Sequence, residues 1–426
     1  MKLGIAIRSV RRNRLIVFLL LYRIKDKNSI KLVENSFLKM TINMQSEFFN
    51  SKLPRSATSI FSQMSALAVQ HKAINLSQGF PSFPVDPTLI ELVDYYMRAG
   101  ANQYAPMAGV PALLAVLAKK IEHLYGASVD PGAEITITAG ATQAIFTVIA
   151  TTVRAGDEVI IFEPAYDCYA PTVELFKGKV VPVRLTGPDF KIDWEQVRAK
   201  VSSRTRLIII NNPNNPSTKV LAGSDLLQLE KLVRDSSIMI LSDEVYEHLI
   251  FEQHVHQSVL AWSVLRARSF VVASFGKLLH TTGWKLGYVV APPQLTNEFR
   301  KVHQFNVFSA NTPMQLAIAD YLKDPNHYLQ LSKFFQQKRD FLTAGLQETR
   351  FKVLPSRGTY FLLIDYSLVS ESSDIDFARM LTTEYRLASI PVSAFYSNGL
   401  DQKMLRLCFA KDQPMLTAAI NILKKV

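Results

Sequence analysis

A chain of 426 residues with 48% hydrophobic and 20% charged side chains has the composition of an ordinary globular protein, long enough for a large domain and a smaller one. Only two cysteines occur, Cys168 and Cys408, which excludes a disulfide framework and a zinc site and makes a reducing, cytoplasmic compartment the expectation. The net charge of +12 suggests nucleic acid until it is localised: residues 1–43 hold ten Lys and Arg against two carboxylates, and the +4 left on the rest indicates no nucleic-acid partner.

The basic leader contains Leu15-Ile16-Val17-Phe18-Leu19-Leu20-Leu21, far shorter than the roughly 20 apolar residues of a membrane span. It has the charge and length of a signal-peptide core, but Arg23, Lys25 and Lys27 follow where a small-residue cleavage site would stand. A membrane-surface anchor, a poor targeting peptide and translated upstream sequence all fit. The last is preferred, because Met40 and Met44 lie just before the globular pattern begins. Residues 1–43 are therefore expected to be a disordered or loosely helical extension, with no stable membrane span and no part in the chemistry.

The body opens with Ser59, a cap for the helically spaced segment 60–68, which includes Ile60 and Phe61. A short strand, Ala73-Ile74-Asn75-Leu76, ends in Ser77-Gln78-Gly79-Phe80-Pro81, where the glycine marks a close backbone approach or an ordinary turn. Segments 89–97 and 110–125 read as amphipathic helices, with Tyr104 in the loop between them. The strand Ile135-Thr136-Ile137-Thr138 then runs through Ala139-Gly140-Ala141-Thr142 into a helix carrying Ile145, Val148 and Ile149. A strand, a small-residue turn and a helix N-terminus together make a phosphate site, because free N–H groups and the positive dipole end converge there; many such turns serve packing alone. No Walker lysine follows, so a nucleoside triphosphate loop is not indicated.

Strands at 158–162, 179–185, 206–210, 238–241 and 270–273 alternate with helices, which predicts a mainly parallel sheet covered on both faces. Ligands bind such sheets at the carboxyl ends of the strands, and Tyr166, Asn215, Asp243 and Lys277 all fall there. Singly, an Asp after a strand is a helix cap and Asn-Pro is a turn; together they are harder to dismiss. Lys277 lies in Ser274-Phe275-Gly276-Lys277, between two apolar strand-like runs, and Lys285 follows. A semi-buried lysine needs a reason: desolvated, it loses its proton readily and can form a Schiff base with a carbonyl. Ser274 and Lys285 supply a hydroxyl and a cation for an anion such as phosphate. The alternative is a solvated lysine beside a glycine turn.

From Asn75-Leu76-Ser77-Gln78-Gly79-Phe80-Pro81, Ser242-Asp243-Glu244-Val245-Tyr246 and Ser274-Phe275-Gly276-Lys277, the chain resembles the fold-type I pyridoxal-phosphate aminotransferases of class I/II over about residues 59–426. Its nearest flavour is similar to bacterial methionine aminotransferases and the kynurenine/glutamine transaminases. The resemblance implies an α/β fold: a large domain with a mainly parallel seven-stranded sheet between helices, and a smaller α/β domain formed by the N-terminal arm and the C-terminal part. The expected divisions are an extension over 1–43, an arm over 44–85, a cofactor-binding domain over 86–315 and a small domain over 316–426. It also implies roles. Lys277 would hold pyridoxal 5′-phosphate covalently and shuttle the substrate proton, Asp243 would pair with the pyridine nitrogen, and Asn215 and Tyr246 would bond the ring hydroxyl oxygen. Tyr166 would stack on the ring, although Ala165 precedes it where relatives often carry a bulkier residue. Ala141, Thr142, Ser274 and Lys285 would hold the phosphate, Lys285 standing where some relatives have arginine. Tyr104 would reach the phosphate of a partner subunit, which makes the expected unit a homodimer with shared sites.

In the last third, a long helical region over 313–347 precedes strand-like runs at 351–354, 359–364 and 404–409. Arg406 interrupts the last, and a buried guanidinium demands a carboxylate: a structural salt bridge or, by family position, the substrate α-carboxylate, with Asn215 and the Gly79 backbone beside it. Phe305, Phe308, Ile60 and Phe61 offer aromatic and aliphatic walls without a cation, so the substrates implied are neutral amino acids, methionine and aromatic ones foremost, with a 2-oxo acid acceptor. No metal is expected. The rival activities are a C–S β-lyase on the same cofactor and, less favoured, an aminotransferase-like transcription regulator, for which the leader lacks a helix-turn-helix pattern.

Overall fold

Thirteen strands are described, and period-two alternation decides the layering of the largest sheet. The strands are β1 (Ile74–Asn75), β2 (Ile135–Thr138), β3 (Glu158–Glu163), β4 (Lys179–Arg184), β5 (Thr205–Asn211), β6 (Met239–Asp243), β7 (Ser269–Ser274), β8 (Gly287–Val290), β9 (Lys352–Val353), β10 (Phe361–Asp365), β11 (Leu387–Ala388), β12 (Ile390–Pro391) and β13 (Met404–Cys408). In this computed structural model, residues 51–54, 58–252 and 254–426 are described. The readings made for 1–43 lie outside them. The chain divides into two compact units, Met1–Arg55 and Ser56–Val426; of the first only residues 51–54 are described, and everything that follows belongs to the second.

Seven strands pair in the order β2-β8-β7-β6-β5-β3-β4. Ile160, Phe162, Ile208, Ile210, Val271 and Ala273 face one core, and Val159, Ile161, Leu207, Ile209, Phe270 and Val272 the other. Both faces are dry, which is why these strands are nearly continuous Val, Ile and Leu. Helices Pro111–Tyr125 and Gly223–Val233 cover the first face; Ala141–Thr152 and Pro293–Asn306 cover the second. All strands run parallel except β8, which is antiparallel to both β2 and β7. The connection from β7 to β8 holds only one helical turn, Phe275–Leu278, and a 3-10 turn, with no long helix to carry the chain back across the sheet.

A four-stranded antiparallel sheet, β12-β13-β10-β9, and the parallel pair β1-β11 are built from the arm and the C-terminal part. The arm is sewn on by backbone bonds: Leu76 N–H donates to Ala388 O, Cys408 N–H to Leu76 O and Ser82 N–H to Ala410 O, at 2.8–3.1 Å. The helical region expected over 313–347 is three helices, Thr312–Tyr321, Asn326–Leu329 and Leu331–Leu346, interrupted at Pro325, whose missing N–H and ring end a helix. The first of these packs on Pro87–Arg98 and Pro111–Tyr125 of the large layer, so the line expected between 315 and 316 falls within a helix.

Gly287 opens β8 where it passes under the start of helix Ala141–Thr152. A Cβ there would lie 2.6 Å from Ala273 O and 3.0 Å from Ala141 N, both backbone atoms. Gly287→Ala is therefore expected to lower the unfolding free energy by about 1–3 kcal/mol in urea denaturation, the usual cost of overpacking.

Candidate active site

The carboxyl ends of β5, β6 and β7 lie side by side: Asn211 pairs with Asp243, Asp243 with Val272, and β7 runs two residues further to Ser274, which pairs with Gly287 at the start of β8. The polar residues that end these strands face a cavity of about 400 Å³, roofed by Gly79 from the arm and by Phe361 and Arg406 from the small sheet. Of the residues singled out in the sequence, Gly79, Ala141, Thr142, Tyr166, Asn215, Asp243, Tyr246, Ser274, Lys277, Lys285 and Arg406 all line it. Lys277 and Asp243, read from segments 34 positions apart, thus meet in one chamber.

Each charge in the chamber is held differently. Lys277 Nζ donates to Gly79 O at 3.0 Å and to Tyr360 Oη at 2.6 Å; burial, aided by the positive Arg406 and Lys285, pulls its pKa down to about 8. Asp243 is buried, and its carboxylate accepts from the Tyr169 hydroxyl and, at 3.3 Å, from Val245 N–H. Both donors are neutral, and among the described residues no cation bonds to it. Burial raises its pKa to about 6 in spite of those bonds. Burial likewise pushes the Tyr246 and Tyr169 phenols far up, so both are hydrogen-bond donors at neutral pH.

Arg406 stands on β13 opposite Leu363 and Ile390 and is fully buried. Its Nη1 donates to Asn215 Oδ1 at 2.6 Å and its Nη2 to Ser77 O at 2.9 Å, while Nε has no partner. The guanidinium lies 3.8 Å from the centre of the Phe361 ring. Burial lowers its pKa to about 10, which leaves it a cation near neutrality without a carboxylate bonded to it among the described residues. Because Asn215 Oδ1 is engaged by the arginine, the amide hydrogens of Asn215 are left for the cavity.

A third anchor is the N-terminus of helix Ala141–Thr152. Its cap, Gly140 (φ 85°), offers no side-chain bond to the first-turn N–H groups. Gly140 packs on the backbone of Lys285, itself left-handed at φ 55°, and Ser274 completes the corner. Uncapped N–H groups, a hydroxyl and an ammonium suit a phosphate.

Three predicted residues lie elsewhere. Ile60 is half-buried against the large core and is not a cavity residue; its neighbours Ser59 and Phe61 are, since adjacent positions on helix Ile60–Gln70 point about 100° apart. Tyr104 is 83% exposed and Phe308 48% exposed, packed edge to face on each other at 5.4 Å, outside the cavity. Sequence reasoning missed Tyr169, Tyr360, Asp167 and Asn211. Tyr169 left a signal, three positions after Tyr166 at the start of helix Tyr169–Leu175; Tyr360, before an apolar strand, left none.

A family model described as "Aminotransferase class I and II" matches residues 71–423. The methionine aminotransferase of Escherichia coli K12 is 50% identical over 377 residues, covering 88% of this chain and 98% of the relative. A crystal structure from Escherichia coli, identified with a methionine aminotransferase function, superposes with a TM-score of 0.87 at 50% identity, over 89% of this chain and 99% of that one. The human kynurenine–oxoglutarate transaminase 1 is 32% identical over 394 residues, covering 84% and 93%.

The raised pKa of Asp243 has a consequence for stability. Unfolded, the group titrates near 3.8 and folded near 6, so ionisation destabilises the fold progressively from about pH 4 to pH 6 and fully above it. In protein freed of any ligand, Asp243→Asn should be more stable than the parent by on the order of 1–3 kcal/mol at pH 8. The difference should vanish near pH 4, as read by denaturant unfolding at each pH.

Proposed function

The chain belongs to the aminotransferases of class I and II, and on that premise we propose that it transfers the amino group of neutral L-amino acids, methionine and aromatic ones foremost, to a 2-oxo acid. Pyridoxal 5′-phosphate is the cofactor of this family. The chamber fits it: a buried carboxylate without a cation among the described residues, a half-buried amine of lowered pKa and an uncapped helix N-terminus face one space and do not bond one another. That unspent carboxylate of Asp243 is the observation that carries the reading. When bound, the cofactor supplies an aldehyde for the substrate amine and a ring that accepts electrons from the α-carbon.

The residues divide the remaining work. Ala141, Thr142, Ser274 and Lys285 would hold the phosphate, Asp243 would keep a proton on the ring nitrogen, and Asn215 and Tyr246 would donate to the ring hydroxyl oxygen. Tyr166, seated edge to face on Tyr169 at 5.8 Å between centroids, would cover the ring. Arg406 would bind the substrate α-carboxylate, the anion its buried guanidinium lacks, next to Asn215 and the Gly79 backbone. Lys277, held covalently to the cofactor at rest, would move the proton at the substrate α-carbon once freed. As a neutral amine it has two hydrogens, satisfied by Gly79 O and Tyr360 Oη, and a lone pair left for that proton.

Phe61 and Phe361 give the substrate region apolar walls, and the three cations that line it are already engaged by these roles, which supports neutral side chains. Exposed Tyr104, Phe305 and Phe308 support a homodimer in which the partner completes the site. Among the described residues no helix is long and apolar enough to cross a membrane, and with two free cysteines a cytoplasmic location is proposed.

Purified protein with pyridoxal phosphate should absorb in the yellow-coloured range, bleach on adding methionine and recover with a 2-oxo acid. Aspartate should act far more slowly, and cystathionine should release no pyruvate without an acceptor. Lys277→Ala should lose turnover by about 10³-fold or more, whereas Arg406→Ala should chiefly raise KM, by on the order of 10²-fold. Sedimentation should give a dimer, and full activity of the Lys277 variant would contradict the mechanism.

A further inference from the structure

Among the described residues five charged side chains line the chamber, and the proposed transamination engages four of them: Lys277, Asp243, Lys285 and Arg406. The fifth is Asp167, between Tyr166 and Cys168 in the turn after β3. It is half-buried, and no cation pairs with it at contact distance among the described residues; Arg406 acts on it through space. A carboxylate in that position is costly to keep unless it is useful.

Resting on the proposed transamination, we propose that Asp167 sets the acceptor: it excludes dicarboxylic 2-oxo acids, so that the amino group passes to monocarboxylic, apolar ones. A 2-oxo acid carries one carboxylate that Arg406 can take. A second carboxylate on the same molecule would need a second cation, and the lining offers none beyond Lys277 and Lys285, both committed elsewhere. It would meet Asp167 instead, across a partly desolvated space that strengthens the repulsion. The lining is thus selective twice, by the cation it lacks and by the anion it holds. Donor and acceptor share one site, so both substrates would belong to one class, neutral amino acids and their 2-oxo acids, even though a human relative is named for oxoglutarate.

The test pairs phenylalanine as donor with two acceptors, 2-oxoglutarate and 4-methylthio-2-oxobutanoate, and compares kcat/KM. The parent enzyme should favour the monocarboxylate by about tenfold or more, the scale of one unfavourable charge contact. Asp167→Asn should narrow that ratio by about tenfold, and Asp167→Glu, which keeps the charge, should leave it wide. Because the ratio is taken within one enzyme, losses in cofactor loading cancel. Binding is read independently by calorimetry with the unreactive, chain-matched glutarate and pentanoate: glutarate should gain affinity in Asp167→Asn relative to pentanoate. Equal use of both acceptors by the parent, or a ratio and relative affinity unmoved in Asp167→Asn, would overturn the assignment. Failure of the parent with every acceptor would instead refute transamination itself.

Discussion

A carboxylate buried without a cation is the feature on which the rest of the molecule turns. Among the described residues Asp243 is satisfied by a phenol and a backbone amide and by no cation, and the fold holds it there at a cost in stability. Lys277 and Arg406 repeat the pattern with opposite sign: an amine on two neutral oxygens and a guanidinium on an amide and a carbonyl. Two buried charges and a half-buried one converge on one chamber, and none is bonded to another. Under the proposed function each would find its counter-group in a ligand, the ring nitrogen, the aldehyde and the α-carboxylate in turn.

The architecture explains how such charges are kept apart. A parallel sheet buried on both faces is stiff, and its strand ends deliver Asn211, Asp243 and Ser274 at fixed spacing. The reversed strand β8 brings Gly287 beneath the helix start, where a glycine is needed for the two backbones to meet. The arm and the small sheet then close the chamber from above, the arm with the Gly79 carbonyl and the sheet with Arg406 on its Phe361 shelf. Tyr360 ties these layers together, its hydroxyl bonded to both the lysine amine and the Gly79 carbonyl.

Much of this was legible in the residues. Strands buried on two sides announce themselves as unbroken apolar runs, so β3, β5, β6 and β7 were read nearly to their ends. The polar residues that follow them stand out because nothing apolar explains them. What escaped has physical causes. The break at Pro325 was hidden by helical periodicity on either side of it. Ile60 and Phe61 both read as site walls and only Phe61 is one, because helix phase cannot be fixed to one residue from a short segment. Tyr360 reads as core, since a tyrosine beside an apolar strand shows nothing of what its hydroxyl will reach. Asp167 was passed over beside the more conspicuous Tyr166, and only the charge inventory of the chamber gave it meaning. Tyr104 and Phe308, read as residues for a neighbouring subunit, lie together on an exposed face.

The proposed chemistry depends on which lysine carries the cofactor. Protein incubated with pyridoxal phosphate, reduced with borohydride and digested should yield one peptide bearing the cofactor mass, and sequencing by mass spectrometry should place it on Lys277. An adduct on Lys285 or any other lysine in its place, or none at all, would contradict the account.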